Sequence, residues 1–356
     1  MNKILYLVVP VFFTSLYSEA AIVYNKDGSK LDLYGKIAPR NYMSSQPSQD
    51  GDKTWVRVGF KAETSISSRL TAYARWEQEY KGNNPETTNA GDKTRFAFAG
   101  LRDIHLGSLD YGRNFGVLYD IGSWTDMLPE FGSDTWSQND VFMAKRTTGV
   151  LTWRSTDFFN LVDGLNLALQ YQGKNESGRD DIKKQNGDGW GTSLVYKTGN
   201  ISTGLTYARS DRTLSQKNSV DPLNAKGEHA EALGSGIKYD DGKFYAAVTY
   251  SQTHNMTTFG KYISNKAENF ESVIQYQFDN GIRPSLAYLE SKGRDFENTK
   301  NNSLVKYVSI GSFYYLTKNV SMLVDYKINL LDDNDFTRKI GLNTDDVVAV
   351  GMTYAF

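Results

Sequence analysis

The feature that most constrains this chain is a two-residue alternation of apolar and polar side chains that recurs from Ser29 to the last residue. At the C-terminus Val348, Val350, Met352, Tyr354 and Phe356 fall on one face, and Val347, Ala349, Gly351, Thr353 and Ala355 on the other. Leu165, Leu167, Leu169 and Tyr171 oppose Asn166, Ala168, Gln170 and Gln172. Phe244, Ala246, Val248 and Tyr250 repeat the pattern, as do Ile274, Tyr276 and Phe278 against Gln275 and Gln277. A period of two is the period of a strand, and strict alternation means that one face meets apolar surroundings while the other stays wet.

Segments of this kind fall near 29–41, 53–65, 68–80, 93–103, 106–113, 146–155, 163–173, 188–197, 199–210, 231–239, 243–253, 269–279, 282–292, 305–315, 319–329 and 346–356. Short turns rich in Gly, Asn and Asp, such as Thr198-Gly199-Asn200, Asp241-Gly242 and Asp279-Asn280-Gly281, join some of them; these residues tolerate positive φ. Long polar stretches at 81–92, 173–187, 211–230, 254–268, 293–304 and 330–345 join the others. Sixteen strands are too many for one soluble sandwich. An even strand number, with short turns at one end and long loops at the other, predicts an all-β fold: a 16-stranded antiparallel transmembrane β-barrel.

Composition agrees. The chain carries 23 Tyr, 18 Phe and 31 Gly with 7 Pro, yet its mean hydropathy is only −0.51. A barrel reconciles these values, because its lipid face is apolar while its lumen and loops are wet. Basic and acidic residues number 40 and 41, a balance that argues against a nucleic-acid binder. Lys3, the apolar Ile4–Phe13 and Ser18-Glu19-Ala20 read as a signal peptide over residues 1–20, cleaved before Ala21; the apolar run is too short to span a bilayer as a helix. Residues 21–356 then form one domain. Cysteine is absent, so no disulfide framework supports this exported chain. Aromatics crowd the strand ends (Tyr24, Tyr34, Trp153, Tyr171, Tyr276, Tyr315 and Tyr354 among them), where an interfacial girdle would sit.

One stretch breaks the pattern. From about Asn114 to Phe142 the chain carries Asp120, Asp126, Glu130, Asp134 and Asp140 with no compensating base before its end. A structureless run near thirty residues is uncommon and usually functional. Trp124, Met127, Leu128, Pro129 and Phe131 would be poorly placed in solvent. A loop folded back into the lumen would bury them on the wall and leave Asp126 and Glu130 facing water. On the strands, alternation sends Arg57 and Lys61 inward from Val56, Val58 and Phe60, and it sends Arg75, Glu77 and Glu79 inward from Ala74 and Trp76. By the same rule Phe96 and Phe98 face lipid and Arg95 faces the lumen. Arginines opposite a carboxylate loop would set a transverse field across the pore.

These residues include AIVYNKDGSKLDLYGK (21–36), TRFAFAGL (94–101), SLDYGRN (108–114), WTDMLPEFG (124–132), FFNLVDGL (158–165), QNGDG (185–189) and the terminal VAVGMTYAF. Over essentially the whole mature chain they resemble the enterobacterial general porins. The resemblance implies a homotrimer in the outer membrane of a Gram-negative bacterium, amid lipid and lipopolysaccharide, with loop 3 folded into the lumen as a constriction. It implies an eyelet of Lys36, Arg57, Arg95 and Arg146 opposite Asp126 and Glu130, with Arg75 and Glu77 on the lumen wall. Glu86 matches a residue that latches a neighbouring subunit. Phe356 matches the aromatic end read by the barrel-assembly machinery, and its carboxylate is expected to meet the amino group of Ala21 at barrel closure. FMAKRTTG (142–149) resembles the anion-preferring phosphoporin, because Lys145 precedes Arg146; DIKKQNGDG (181–189), NKAENFE (265–271) and DYKIN (325–329) point the same way. Ser133 and Trp136 depart from the family pattern. The expected function is passive diffusion of small hydrophilic solutes and ions with a preference for anions such as phosphate, the alternative being a cation-preferring or non-selective general porin of the same family, with no cofactor.

Two rivals are weaker. A barrel enzyme needs a nucleophile beside a base, yet His105, His229 and His254 have no such neighbour, and no GxSxG or HExxH motif is present. A sugar channel would line its lumen with aromatics, whereas the inward rows here are charged.

Overall fold

The computed structural model describes residues 21–294 and 301–356; the expected signal peptide lies outside the described residues. Sixteen antiparallel strands form the wall. The first eight are β1 (Ser29–Ala38), β2 (Trp55–Ser65), β3 (Leu70–Lys81), β4 (Lys93–Asp103), β5 (Gly107–Phe115), β6 (Arg146–Ser155), β7 (Leu165–Gln172) and β8 (Gly189–Thr198). The second eight are β9 (Ile201–Asp211), β10 (His229–Asp240), β11 (Phe244–His254), β12 (Lys266–Tyr276), β13 (Ile282–Arg294), β14 (Asn302–Tyr315), β15 (Val320–Asn329) and β16 (Val347–Ala355). Each pairs with its neighbours in sequence, and β16 returns to β1 through Ala355 opposite Lys36 and Tyr354 opposite Ile37. The Gly35 and Phe356 amides donate to each other's carbonyls at 2.9 and 3.0 Å. Gly35 is required there, since a Cβ would lie 2.4 Å from the Phe356 ring. Next along the same edge of β1, Ala21 stands opposite Leu33 in the N-terminal strand segment Ala21–Lys26, so Ala21 and Phe356 lie along one edge of β1.

The outward rows are apolar and exposed: Leu169 and Tyr171, Leu205, Leu233 and Ile237, Val248 and Tyr250, Leu286, Met322, and Met352 with Tyr354. In water such a surface would be costly; against hydrocarbon it is matched. The inward rows are polar or small, as in Thr249, Ser251 and Thr253 of β11 or Asn269, Glu271 and Gln275 of β12. Tyr34 is not part of an outer girdle, because it shares the parity of Lys36 and its hydroxyl donates to Glu77 at 2.9 Å. Among the long loops, Leu223, Phe259, Tyr262, Leu304 and Ile340 form a small apolar core that joins the segments after β9, β11 and β15 to the start of β14.

Candidate pore constriction

Residues 116–145 connect β5 to β6, and their apolar side chains explain their path. Val117, Leu118, Ile121, Trp124, Leu128 and Trp136 are buried against Ala168, Val195, Ala208, Ala232, Ala247, Val273 and Ala287, which belong to the inner wall. The wall is cut to fit. A Cβ on Gly204 would lie 2.2 Å from Ile121, and one on Gly234 2.6 Å from the Trp136 ring. Backbone groups freed by the irregular chain are taken up by strand side chains, as burial demands. Tyr245 donates to the Trp124 carbonyl at 2.6 Å and Gln275 to the Met127 carbonyl at 2.6 Å. Asp325 accepts from the Glu130 and Phe131 amides at 3.0 and 3.1 Å. Thr125 and Thr135, ten residues apart, both donate to Glu271, which is itself fully buried.

The carboxylates of this loop do not stand free. Each has its own cation: Asp120 with Arg154 at 2.7 Å, Asp126 with Lys145 at 2.5 Å, Glu130 with Arg40 at 2.7 Å, Asp134 with Lys327 at 3.2 Å and Asp140 with Arg113 at 2.5 Å. Asp126 and Glu130, expected to face water, are instead held in ion pairs; of the five bases Lys145 ends the loop itself, Arg113 and Arg154 sit on the flanking β5 and β6, and Arg40 and Lys327 come from distant parts of the chain. Glu130 also accepts from the Tyr42 hydroxyl at 2.8 Å, and Asp126 from that of Tyr119. Lys145 is likewise no free cation. It is 8 % exposed, and besides Asp126 its ammonium reaches the Ser133 hydroxyl at 2.5 Å. Burial pulls the Lys145 pKa down against the pull of Asp126. Burial pushes Asp126 up, but the Lys145 charge and hydrogen bond overcome it, so the net shift is downward.

Opposite this loop lies the basic wall. Lys36 on β1 is in register with Arg57 on β2. Arg57 pairs with Glu79 at 2.6 Å, and Arg95 with Glu77 at 2.5 Å and Glu79 at 3.0 Å. Arg75 meets Glu77 at 2.9 Å and Lys93 meets Glu79 at 2.7 Å. Two carboxylates thus serve four cations. Among the described residues, Lys36 and Arg146 have no carboxylate within ion-pair distance. Arg40 was missed from sequence, although it shares the even parity of Lys36 and its side chain is only 4 % exposed. Phe96 was misplaced. A bulge shifts the β3–β4 register between Glu77 and Gln78, setting Phe96 opposite Glu77 and Thr94 opposite Gln78 with Arg95 as the extra residue. Arg95, Phe96 and Phe98 then all lie on the lumen side, and Phe96 is 2 % exposed. Glu86 is exposed in the loop after β3.

Residues 26–356 match the family model described as Gram-negative porin. The chain belongs to the Gram-negative porin family. It is 55 % identical over 354 residues to the outer membrane porin protein OmpD of Citrobacter koseri, covering 98 % of this chain and 99 % of that one. It is 55 % identical over 348 residues to the outer membrane porin protein NmpC of Escherichia coli K12, covering 96 % and 95 %. A solved structure of Salmonella typhi OmpF in complex with daunomycin superposes with a TM-score of 0.87 at 40 % identity, covering 94 % of this chain and all of that one. This porin is a non-enzymatic channel of the Gram-negative outer membrane that passes solutes by passive diffusion.

Proposed function

We propose that this porin is a general diffusion channel that prefers anions, inorganic phosphate included, and that its eyelet comprises Lys36, Arg57, Arg95 and Arg146 opposite Asp126 and Glu130. The observation that carries the reading is the charge pairing. Every carboxylate of the loop is taken by a cation, including Asp126 by Lys145 and Glu130 by Arg40, while Lys36 and Arg146 keep uncancelled charge at the same constriction. Lys145 acts here by cancelling Asp126, not as an added free cation at the pore mouth. A solute crossing the lumen there meets a net positive field that low-dielectric walls concentrate. Glu77 and Glu79 within the basic wall moderate that field. The porin works as a homotrimer embedded in lipid and lipopolysaccharide, with Glu86 latching a neighbouring subunit. Phe356 serves as the signal to the barrel-assembly machinery, and its carboxylate meets the Ala21 amino group along their shared edge of β1.

The test is the zero-current potential of single channels in a planar bilayer under a potassium chloride gradient. A potential of the sign set by chloride supports the reading. A value at or beyond zero toward potassium overturns it.

A further inference from the structure

Five aromatic rings run as an unbroken chain along the inner wall into the constriction. Tyr73 contacts Phe98 at 6.3 Å between centroids, Phe98 contacts Phe96 at 6.3 Å, Phe96 contacts Phe115 at 4.9 Å, and Phe115 stacks on Tyr119 at 4.6 Å. Both ends are tied by hydroxyls: Tyr73 donates to Asp110 at 2.9 Å and Tyr119 to Asp126. Four cations lie on this row. Arg102 is 5.7 Å from the Tyr73 ring, Arg75 3.9 Å from Phe96, and Lys145 4.9 Å from Tyr119. Arg146 is 6.0 Å from Phe96 and 5.9 Å from Phe115.

Arg102, Arg75 and Lys145 also have carboxylates, namely Glu63, Glu77 and Asp126. Arg146 has none. It is 7 % exposed; the like charges of Arg95 and Arg57 act on it most strongly, and Asp126, already paired with Lys145, acts on it less. A buried guanidinium without a counter-ion would ordinarily swing onto the nearest carboxylate. The ring faces offer it an attractive surface that leaves its net charge uncancelled. Phe96 can do this only because the bulge at Arg95 turns it inward, the re-aiming of a side chain that bulges perform beside functional sites.

We infer that Phe96, with Phe115 beside it, is a positioning residue for ion selectivity: it holds Arg146 unpaired at the lumen wall, so that its uncancelled charge acts on a passing anion. The inference rests on the proposed eyelet role of Arg146, and the two can fail separately. Wild-type channels and the variants Phe96→Leu, Phe96→Tyr, Phe115→Leu, Arg146→Ala and Phe96→Leu/Arg146→Ala are compared as heat-stable assembled protein in planar bilayers, reading the chloride-to-potassium permeability ratio. Phe96→Leu is expected to lower the ratio about twofold or more, the size of one exposed cation–π contact. Phe96→Tyr restores the ring and the wild-type ratio, and Phe115→Leu gives a smaller fall. In the Arg146→Ala background Phe96→Leu changes nothing further. An unchanged ratio in Phe96→Leu, or an equal fall with and without Arg146, overturns the inference. If Phe96→Leu does not assemble, Phe115→Leu with and without Arg146 decides by the same criterion. A wild-type ratio favouring potassium would sink the anion reading alone, because the dependence of Phe96 on Arg146 is measured against whatever ratio the wild type has.

Discussion

Replacing Lys145 by Met removes one charge from the constriction and little volume. In the intact protein the ammonium lies 2.5 Å from Asp126 and 2.5 Å from the Ser133 hydroxyl. With Met in its place, Asp126 keeps only its neutral partner Tyr119. Breaking a buried pair by deleting one member costs about 3–5 kcal/mol if the remaining charge cannot relax. Asp126 has a way out, since its loop borders the lumen and Arg146 acts on it electrostatically. Whether the carboxylate turns to water or to Arg146, the summed charge at the eyelet falls by one. A unit charge about 8 Å from the ion path is worth about 0.5 kcal/mol at the dielectric of water and about 2 kcal/mol at an effective dielectric near 20. Anion and cation feel it with opposite sign, so even the aqueous limit changes their ratio by about 1 kcal/mol, roughly fivefold. The assay is the zero-current potential in a salt gradient, with Lys145→Arg as the charge-conserving control. A ratio for Lys145→Met equal to that of wild type would refute the reasoning, since it would mean that the Asp126 charge never reaches the ion path.

Three further outcomes are expected. Asp325→Ala removes the acceptor for the Glu130 and Phe131 amides and the Ser309 hydroxyl. At about 1.5–3 kcal/mol for a bond to a charged group, the loop tip should loosen, read as flickering conductance and faster proteolysis between Met127 and Gly132. Gly234→Val places a side chain where Trp136 already sits, at 2.6 Å from its ring; overpacking of this kind costs about 1–3 kcal/mol and should lower the melting temperature while leaving far-ultraviolet circular dichroism intact. On acidification, a carboxyl held below its ordinary range keeps its pair above that range and loses it as pH falls through the lowered value. The shift toward anions that protonation of Asp126 brings, as it releases Lys145, should therefore come only below the ordinary aspartate value of about 3.9. Asp126→Asn should abolish that acid transition, and its persistence would show that another group is responsible.

The sixteen strands were legible because a closed barrel in lipid leaves each inward–outward choice to one local rule, and that rule is written in the sequence at period two. The failures sit where a local rule cannot see. One inserted residue at Arg95 reverses the parity of Phe96 and Phe98, and nothing in TRFAFAGL announces a bulge. The pairing of Glu130 and Asp134 was invisible because Arg40 and Glu130 are separated by 90 residues, and Asp134 and Lys327 by 193. A signal for the wall side did exist. Arg40, Glu271 and Asp325 each share the parity of an inward row, and a charge in such a row asks for a partner across the lumen. The apolar residues of the loop did announce its burial, since Trp124 and Leu128 have no other place to go.

The Gly35–Phe356 seam bears on how the molecule comes into being. Fifteen of the sixteen strand pairings join neighbours in the chain and can form as each hairpin emerges, with little loop entropy to overcome. The last joins residues more than three hundred positions apart, Gly35 and Phe356 among them. Until it forms the sheet has two free edges whose amides and carbonyls hydrocarbon cannot satisfy. A barrel left open at this seam would therefore have not a slightly smaller pore but an unfinished edge, so insertion into lipid and closure must go together.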